Sequence, residues 1–178
     1  MTATASQRHA ETPSRTAETS STLTLDGLLD LSPDTLRGLY ETARVPRIPD
    51  VRGDLRGRML AWPALKPPVS RWVRAFAGSS VFPWRGKSFS PKTEDAGEGK
   101  NRVVLDRFRL YRFETSVGRS RAGDFDAVQL DYDLPENPFF IRAIKDEIRE
   151  IAPRLYLGQA YLQINDKAHL VLYFGLAG

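Results

Sequence analysis

From Arg52 onward the chain is a succession of short segments that are apolar or alternate apolar with polar residues, each soon closed by Gly, Pro, Asn or Asp. Segments of that length and punctuation read as β-strands. Leu55 to Trp62 and Val81 to Phe89 give the first two, with Lys92 to Lys100 a loop carrying Gly97 and Gly99 among charges. Asn101 to Ser116 is too long for one ordinary strand and reads as two, turning near Asp106-Arg107. Gly118 to Gly123 is a turn, after which Val128, Leu130 and Tyr132 alternate with Gln129, Asp131 and Asp133 in a half-buried strand. Leu155 to Ile164 and His169 to Leu176, joined at Asn165-Asp166-Lys167, form a closing hairpin. Seven or so antiparallel strands in series point to a closed or nearly closed barrel rather than an alternating α/β sheet, and closure also removes exposed strand edges.

Two short helices interrupt the strands. Pro67-Pro68 opens one whose Val69, Trp72, Val73 and Phe76 share a face before Gly78. Asn137-Pro138 opens the other, with Phe140, Ile141, Ile144, Ile148 and Ile151 along one face as far as Pro153. Ahead of the barrel, Ser32-Pro33-Asp34 supplies a cap, a first-turn proline and a first-turn acid. Leu36, Leu39, Tyr40 and Ala43 follow at helical spacing, so residues 23–45 form a helical appendage ending before Pro46. Residues 1–22 are nearly all Thr, Ala, Ser, Glu, Arg and Pro and read as a disordered tail. The expected organisation is therefore tail 1–22, helical segment 23–45 and a barrel domain over 52–178.

A chain of 178 residues buries about 70% of its unfolded surface when compact, enough to close a core without a staple. It has no cysteine, so disulfides and thiolate zinc sites are excluded, and its two histidines, His9 and His169, are far apart. No metal is expected. The longest apolar run, Leu170 to Leu176, is far short of a membrane helix, and the N-terminus has no apolar core of a secretory signal. A soluble, cytoplasmic protein is the expectation. Charge is uneven: residues 44–121 hold 18 of the 26 basic residues but 7 of the 22 acidic ones. Either this marks an anion or nucleic-acid surface, or the basic strands pair with the acidic strand around Asp124 to Asp133. Arg107 to Phe113 interleaves basic and aromatic residues, yet neither face of that strand is uniformly both, which counts against a nucleic-acid stacking platform.

The order of elements over Arg52 to Gly178 resembles the calycin group, the lipocalins and fatty-acid-binding proteins. Leu130-Asp131-Tyr132-Asp133 is similar to the Thr-Asp-Tyr motif of lipocalins, while Gly57-Arg58-Met59 stands where lipocalins carry Gly-x-Trp. The resemblance implies a barrel enclosing one small apolar ligand and, by analogy with fatty-acid-binding proteins, a lid formed by the helix with Trp72 and Phe76. The strings Trp84-Arg85-Gly86-Lys87, Asn101-Arg102-Val103, Asn137-Pro138 and Leu157-Gly158 also resemble a set of small uncharacterised bacterial proteins. At the level of fold, small barrel enzymes that need no cofactor, such as spirotetronate cyclases and phenolic acid decarboxylases, are a further analogy.

Strand alternation supplies the candidate site. If Phe108 and Leu110 point into the barrel, Arg112 and Glu114 follow them. That pair reads either as a structural ion pair or as an arginine anchoring a ligand carboxylate or enolate while Glu114 moves a proton. Tyr132 is the third catalytic candidate, since a phenol in an apolar cavity can stabilise developing negative charge. Phe108, Leu110, Trp72, Tyr161 and Tyr173 are the candidate ligand-binding residues. Trp84-Arg85-Gly86-Lys87 lacks the spacing of a phosphate loop, and the acids Asp146, Glu147 and Glu150 read as the solvated face of the second helix. The functional expectation is a barrel that binds an apolar metabolite, bearing a carboxylate or carbonyl, as a cyclase, isomerase or lyase without a cofactor. The alternative is a non-catalytic carrier. A polar cluster converging on one interior spot would favour catalysis, and a greasy interior with one polar anchor would favour carriage.

Overall fold

In the computed structural model, which describes residues 23–63, 84–103, 107–164 and 166–178, eight strands form a closed barrel in which every strand pairs antiparallel with its sequence neighbours. They are β1 (Gly53–Ala61), β2 (Trp84–Pro91), β3 (Ala96–Val103), β4 (Phe108–Arg119), β5 (Asp126–Asp131), β6 (Ile144–Ala152), β7 (Leu155–Ile164) and β8 (Lys167–Ala177). Pairing of Arg56 with Ala177 and of Gly57 with Leu176 closes β1 on β8. The expected calycin-like, mainly β architecture is thus the observed one. The tail 1–22 and the helix expected around Trp72 lie outside the described residues.

Two expectations about elements are corrected. The segment read as a loop over Lys92 to Lys100 enters β3 at Ala96, so only a tight turn, held by Lys92 and Thr93 N–H groups on the Ala96 carbonyl, separates β2 from β3. The long helix expected from Asn137 shrinks to one turn, α2 (Phe139–Arg142), and the rest is β6. Ile144 and Ile148 stand four apart, a spacing that satisfies both the helical and the strand period. Tertiary pairing decides: β6 gives the barrel the partner that β5 and β7 both require. Asn137 does not cap the helix. Its amide donates to the carbonyls of Arg112 (2.7 Å) and Tyr132 (2.8 Å), tying the connection after β5 to β4.

The chain has two apolar layers. Inside the barrel lie Leu55, Phe89, Phe113, Val128, Leu130, Tyr132, Ile148, Tyr156, Phe174 and Leu176, with Ile48 and Val51 plugging one end. Aromatic rings are accommodated because glycines face them: a Cβ on Gly158 would stand 2.2 Å from the Phe174 ring, and one on Gly99 2.4 Å from that of Phe113. The outer layer packs Leu25, Leu28, Leu36 and Tyr40 of the N-terminal segment over Leu60, Leu155, Leu157 and Tyr173. Its helix, α1 (Pro33–Thr42), begins as the sequence predicts, with Ser32 Oγ accepting from the Thr35 N–H and Pro33 in the first turn. After α1 the chain joins β6 through paired backbone bonds between Arg44 and Glu150.

A bulge in β4 sets the orientation of the site. Asn101 pairs with Leu110 but Lys100 pairs with Arg112, which leaves Tyr111 as the extra residue, at φ 57°. One inserted residue reverses the side-chain alternation beyond it.

Candidate functional site

Lys87 of β2 is 2% exposed, a rare state for lysine, and it is buried inside the barrel. It shares a face with Phe89, two residues along the same strand. Its Nζ donates to Asp146 Oδ2 of β6 at 2.9 Å, to Asn101 Oδ1 of β3 at 2.9 Å, and to the Tyr132 hydroxyl. An ammonium has three protons, so this group is fully used. Four rings surround it, with centroids 5.1 Å (Tyr132), 5.3 Å (Phe113), 5.3 Å (Phe174) and 5.7 Å (Trp84) from Nζ. Their quadrupoles add to the attraction of Asp146 in holding a cation out of water. Burial nevertheless pushes the Lys87 ammonium below the ordinary lysine range, with Asp146 opposing that shift.

Tyr132 completes the cluster. Its oxygen receives Lys87 and the Asn101 amide (3.2 Å), and it donates to Asp146 Oδ2 at 3.2 Å. Burial and then the adjacent Asp146 charge raise this phenol well above its usual value. Trp84 Nε1 donates to Asn101 Oδ1 at 3.0 Å. After these bonds two capacities are left over: Asp146 Oδ1 is buried and has no hydrogen-bond partner among the described residues, and the Asn101 amide keeps one N–H beyond its bond to Tyr132.

The cluster forms one wall of a cavity of about 160 Å³. Met59, Tyr111, Ile141, Ile144, Ala160, Leu172 and Phe174 supply its apolar walls, and Trp84, Lys87, Asn101, Tyr132 and Asp146 its polar side. A cavity near 150 Å³ is about the size that holds one benzene-like molecule. The last residues of β1, β3, β5 and β7 and the first residues of β2, β4, β6 and β8 lie at this end of the barrel, opposite the plug of Ile48 and Val51.

The residues singled out from the sequence divide between three places. Tyr132 is inside, in the cluster. Phe108 (53% exposed) and Leu110 (42%) stand near the start of β4 at the rim of this end, outside the cavity walls. Arg112 and Glu114 are corrected in orientation: the Tyr111 bulge turns Phe113 inward and puts the pair on the outer surface. There Arg112 bonds Glu98, Glu114 and Glu136, each at 2.9 Å. Tyr161 and Tyr173 also face outward. Tyr173 is covered by the N-terminal segment, and Tyr161 donates to Gln159 beneath the Arg121 guanidinium. Trp72 lies outside the described residues. His169 is exposed, as expected.

Lys87, Asp146 and Asn101 were not singled out. Lys87 lies in a segment that lacks the spacing of a phosphate loop and carries only a resemblance without an activity, and Asp146 reads as part of a solvated helix face. Read at strand period, Asp146 falls between Ile144 and Ile148 on the inner face, which is the signal that locates it. Its neighbour Glu147 faces outward and is also buried, but fully satisfied by Tyr40 (3.0 Å), Ser120 (2.6 Å), the Arg121 backbone (3.1 Å) and Gln129 (3.4 Å). That carboxylate fastens α1 to the barrel and leaves nothing over for a ligand. Among the described residues there is no group of three or more His, Asp or Glu able to hold a metal ion, and no helix long and apolar enough to cross a membrane. Compared with protein-family models, curated proteins and solved structures, the chain matches none of them, and the likeness to small bacterial proteins therefore has no family behind it.

Proposed function

We propose that this barrel binds one small apolar molecule in the cavity beside Lys87, Tyr132 and Asp146, without a cofactor. The observation that carries the reading is the cavity itself: about 160 Å³, apolar on most sides, with the polar side chains of one cluster along a single wall. Pockets for small molecules are mostly apolar with a few placed polar groups that fix orientation. Phe108, Leu110, Phe139, Phe140 and Ile164 are exposed at strand ends or in α2 on the same end of the barrel. They give an apolar rim to the side from which a ligand would enter.

Carriage is favoured over catalysis by the saturation of the cluster. The protons of Lys87 and the hydroxyl of Tyr132 are committed to one another and to Asp146, so neither is free to stabilise charge on a bound molecule. Catalysis is the second reading, and the convergence of four polar side chains on one point favours it. In that case the Asp146 carboxylate is the group that takes a proton. Native mass spectrometry of protein purified under mild conditions tests both: a co-purifying mass that is lost in Ala160→Phe, which fills the cavity from the strand beside Asp146, is expected. A wild-type protein that retains nothing and shows no uptake of small aromatic molecules by saturation-transfer NMR would overturn the proposal. Conversion of the retained molecule during incubation would select the enzyme.

A further inference from the structure

Resting on the binding reading above, we infer that the ligand carries a neutral hydrogen-bond acceptor, best a carbonyl oxygen, and that this acceptor takes the remaining N–H of Asn101. Of the polar groups in the cavity wall, Lys87, Tyr132 and Asp146 are buried, whereas Asn101 and Trp84 keep part of their surface open. Trp84 has a single N–H and spends it on Asn101 Oδ1. The Asn101 amide has one orientation, because its oxygen accepts from Lys87 Nζ and Trp84 Nε1, two groups that can only donate. Its nitrogen therefore carries two protons on the other arm. The Tyr132 oxygen lies 3.2 Å from Nδ2 and 3.5 Å from Oδ1, so it takes the proton on the carbonyl side of the amide. The second proton is the one antiparallel to the C=O. Since the C=O aims at Lys87 and Trp84 of β2, that N–H points away from β2, to the side of β4. There Tyr111, the extra residue of the bulge beside Leu110, which pairs with Asn101, forms the cavity wall. The Tyr111 hydroxyl makes no hydrogen bond among the described residues, and because it can donate or accept it fits a ligand acceptor equally well.

A hydrocarbon in the cavity takes water from that N–H and gives it nothing in return, so a donor is left dry and unpaired. A carbonyl oxygen satisfies it. A carboxylate is a poorer fit: Lys87 and Asp146 already neutralise each other, no further cation lines the cavity among the described residues, and one amide N–H does not replace the hydration of a full charge. With about 160 Å³ available, the apolar part is of the order of one aromatic ring with small substituents. The ligand class is thus a neutral aromatic or similarly compact ketone, aldehyde, ester or amide.

The test uses acetophenone, α-methylstyrene, in which a CH2 group replaces the carbonyl oxygen at nearly the same shape, and benzoate, each titrated into the intact wild-type protein. The readout is the side-chain NH2 pair of Asn101 in 1H–15N NMR spectra, assigned by its disappearance in Asn101→Asp. Acetophenone is expected to move one of the two Asn101 protons downfield, α-methylstyrene is expected to leave both in place, and benzoate is expected to bind more weakly than acetophenone. Asn101→Asp keeps an oxygen for Lys87 and Trp84 but removes the N–H. The ratio of acetophenone to α-methylstyrene affinity should fall about tenfold in that variant, the scale set by stranding one buried polar group. Comparing ratios cancels the difference in hydrophobicity between the two probes. An Asn101 pair that responds alike to both bound probes, an unchanged ratio in folded Asn101→Asp, or tighter binding of benzoate would overturn the inference and leave the binding reading standing. No binding of any of the three removes the binding reading itself. If Asn101→Asp does not fold, its pair is assigned through the backbone instead and the wild-type response decides.

Discussion

At the scale of single residues, the ammonium of Lys87 is held by geometry that leaves little slack. Lys87→Met removes the charge and roughly keeps the length, but strands Asp146 and one side of Tyr132. Loss of one partner of a buried ion pair typically costs about 3–5 kcal/mol, so a large fall in the urea midpoint is expected. Lys87→Met with Asp146→Leu removes both charges and should recover much of that loss. A double variant no more stable than the single one would mean that the cluster is not a coupled unit. Arg112 offers the contrast. Its three carboxylate partners are surface groups, and Arg112→Met is expected to leave uptake of small aromatic molecules unchanged. Loss of uptake would restore this residue to the site, despite its place outside the cavity.

Among the elements, α1 is fastened at one point that can be tested. The Tyr40 hydroxyl bonds Glu147 Oε1 at 3.0 Å across a sequence separation of 107 residues. Tyr40→Phe keeps the ring and its tilted packing on Phe125, centroids 6.2 Å apart, and deletes only that bond. Glu147 retains its other donors, so a loss of about 1–2 kcal/mol is expected from chemical denaturation, at the lower end for bonds to charged groups. A change below about 0.5 kcal/mol, the scale of ordinary surface substitutions, would show that α1 is held by its leucines alone. Much at this level was legible from sequence: the cap at Ser32-Pro33-Asp34, the alternation through Val128, Leu130 and Tyr132, and the closing hairpin are all local signals. Two features were not local. Ile144 and Ile148 cannot distinguish helix from strand, because an interval of four serves both periods, and only pairing with β5 and β7 settles the matter. The Tyr111 bulge exists because β3 and β4 must keep register around a closed barrel, and no pattern within Phe108 to Glu114 announces it. That single insertion carried Arg112 and Glu114 out of the interior and left the site to residues on β2, β3 and β6.

For the whole molecule, both apolar layers are studded with phenols, and their burial ties stability to alkaline pH. Tyr40, Tyr132, Tyr156, Tyr161 and Tyr173 all have their pKa raised above 10.0, in each case chiefly by burial, with carboxylates such as Glu147, Asp146 and Glu150 adding to the effect in the first four. Folded values above the unfolded one mean that the unfolded chain releases these protons first. The contribution to stability is therefore complete below pH 10 and is lost as pH rises from about 10 toward the folded values. Lys87 acts with the opposite sign, since its folded pKa lies below 10.5: the unfolded chain holds that proton more tightly, and its unfavourable contribution fades as pH rises toward 10.5. Five groups against one give a net fall. Urea midpoints measured at pH 8, 9.5 and 11 should be nearly level over the first interval and drop over the second. Absorbance at 295 nm should show these phenols ionising at a higher pH in the folded protein than in the chain unfolded by urea. In Lys87→Met with Asp146→Leu the relief from Lys87 disappears, so the decline should start at a lower pH than in the wild type. A wild-type midpoint that holds level through pH 11, with most of the phenols already ionised in the folded state, would contradict the placement of these rings in the two buried layers.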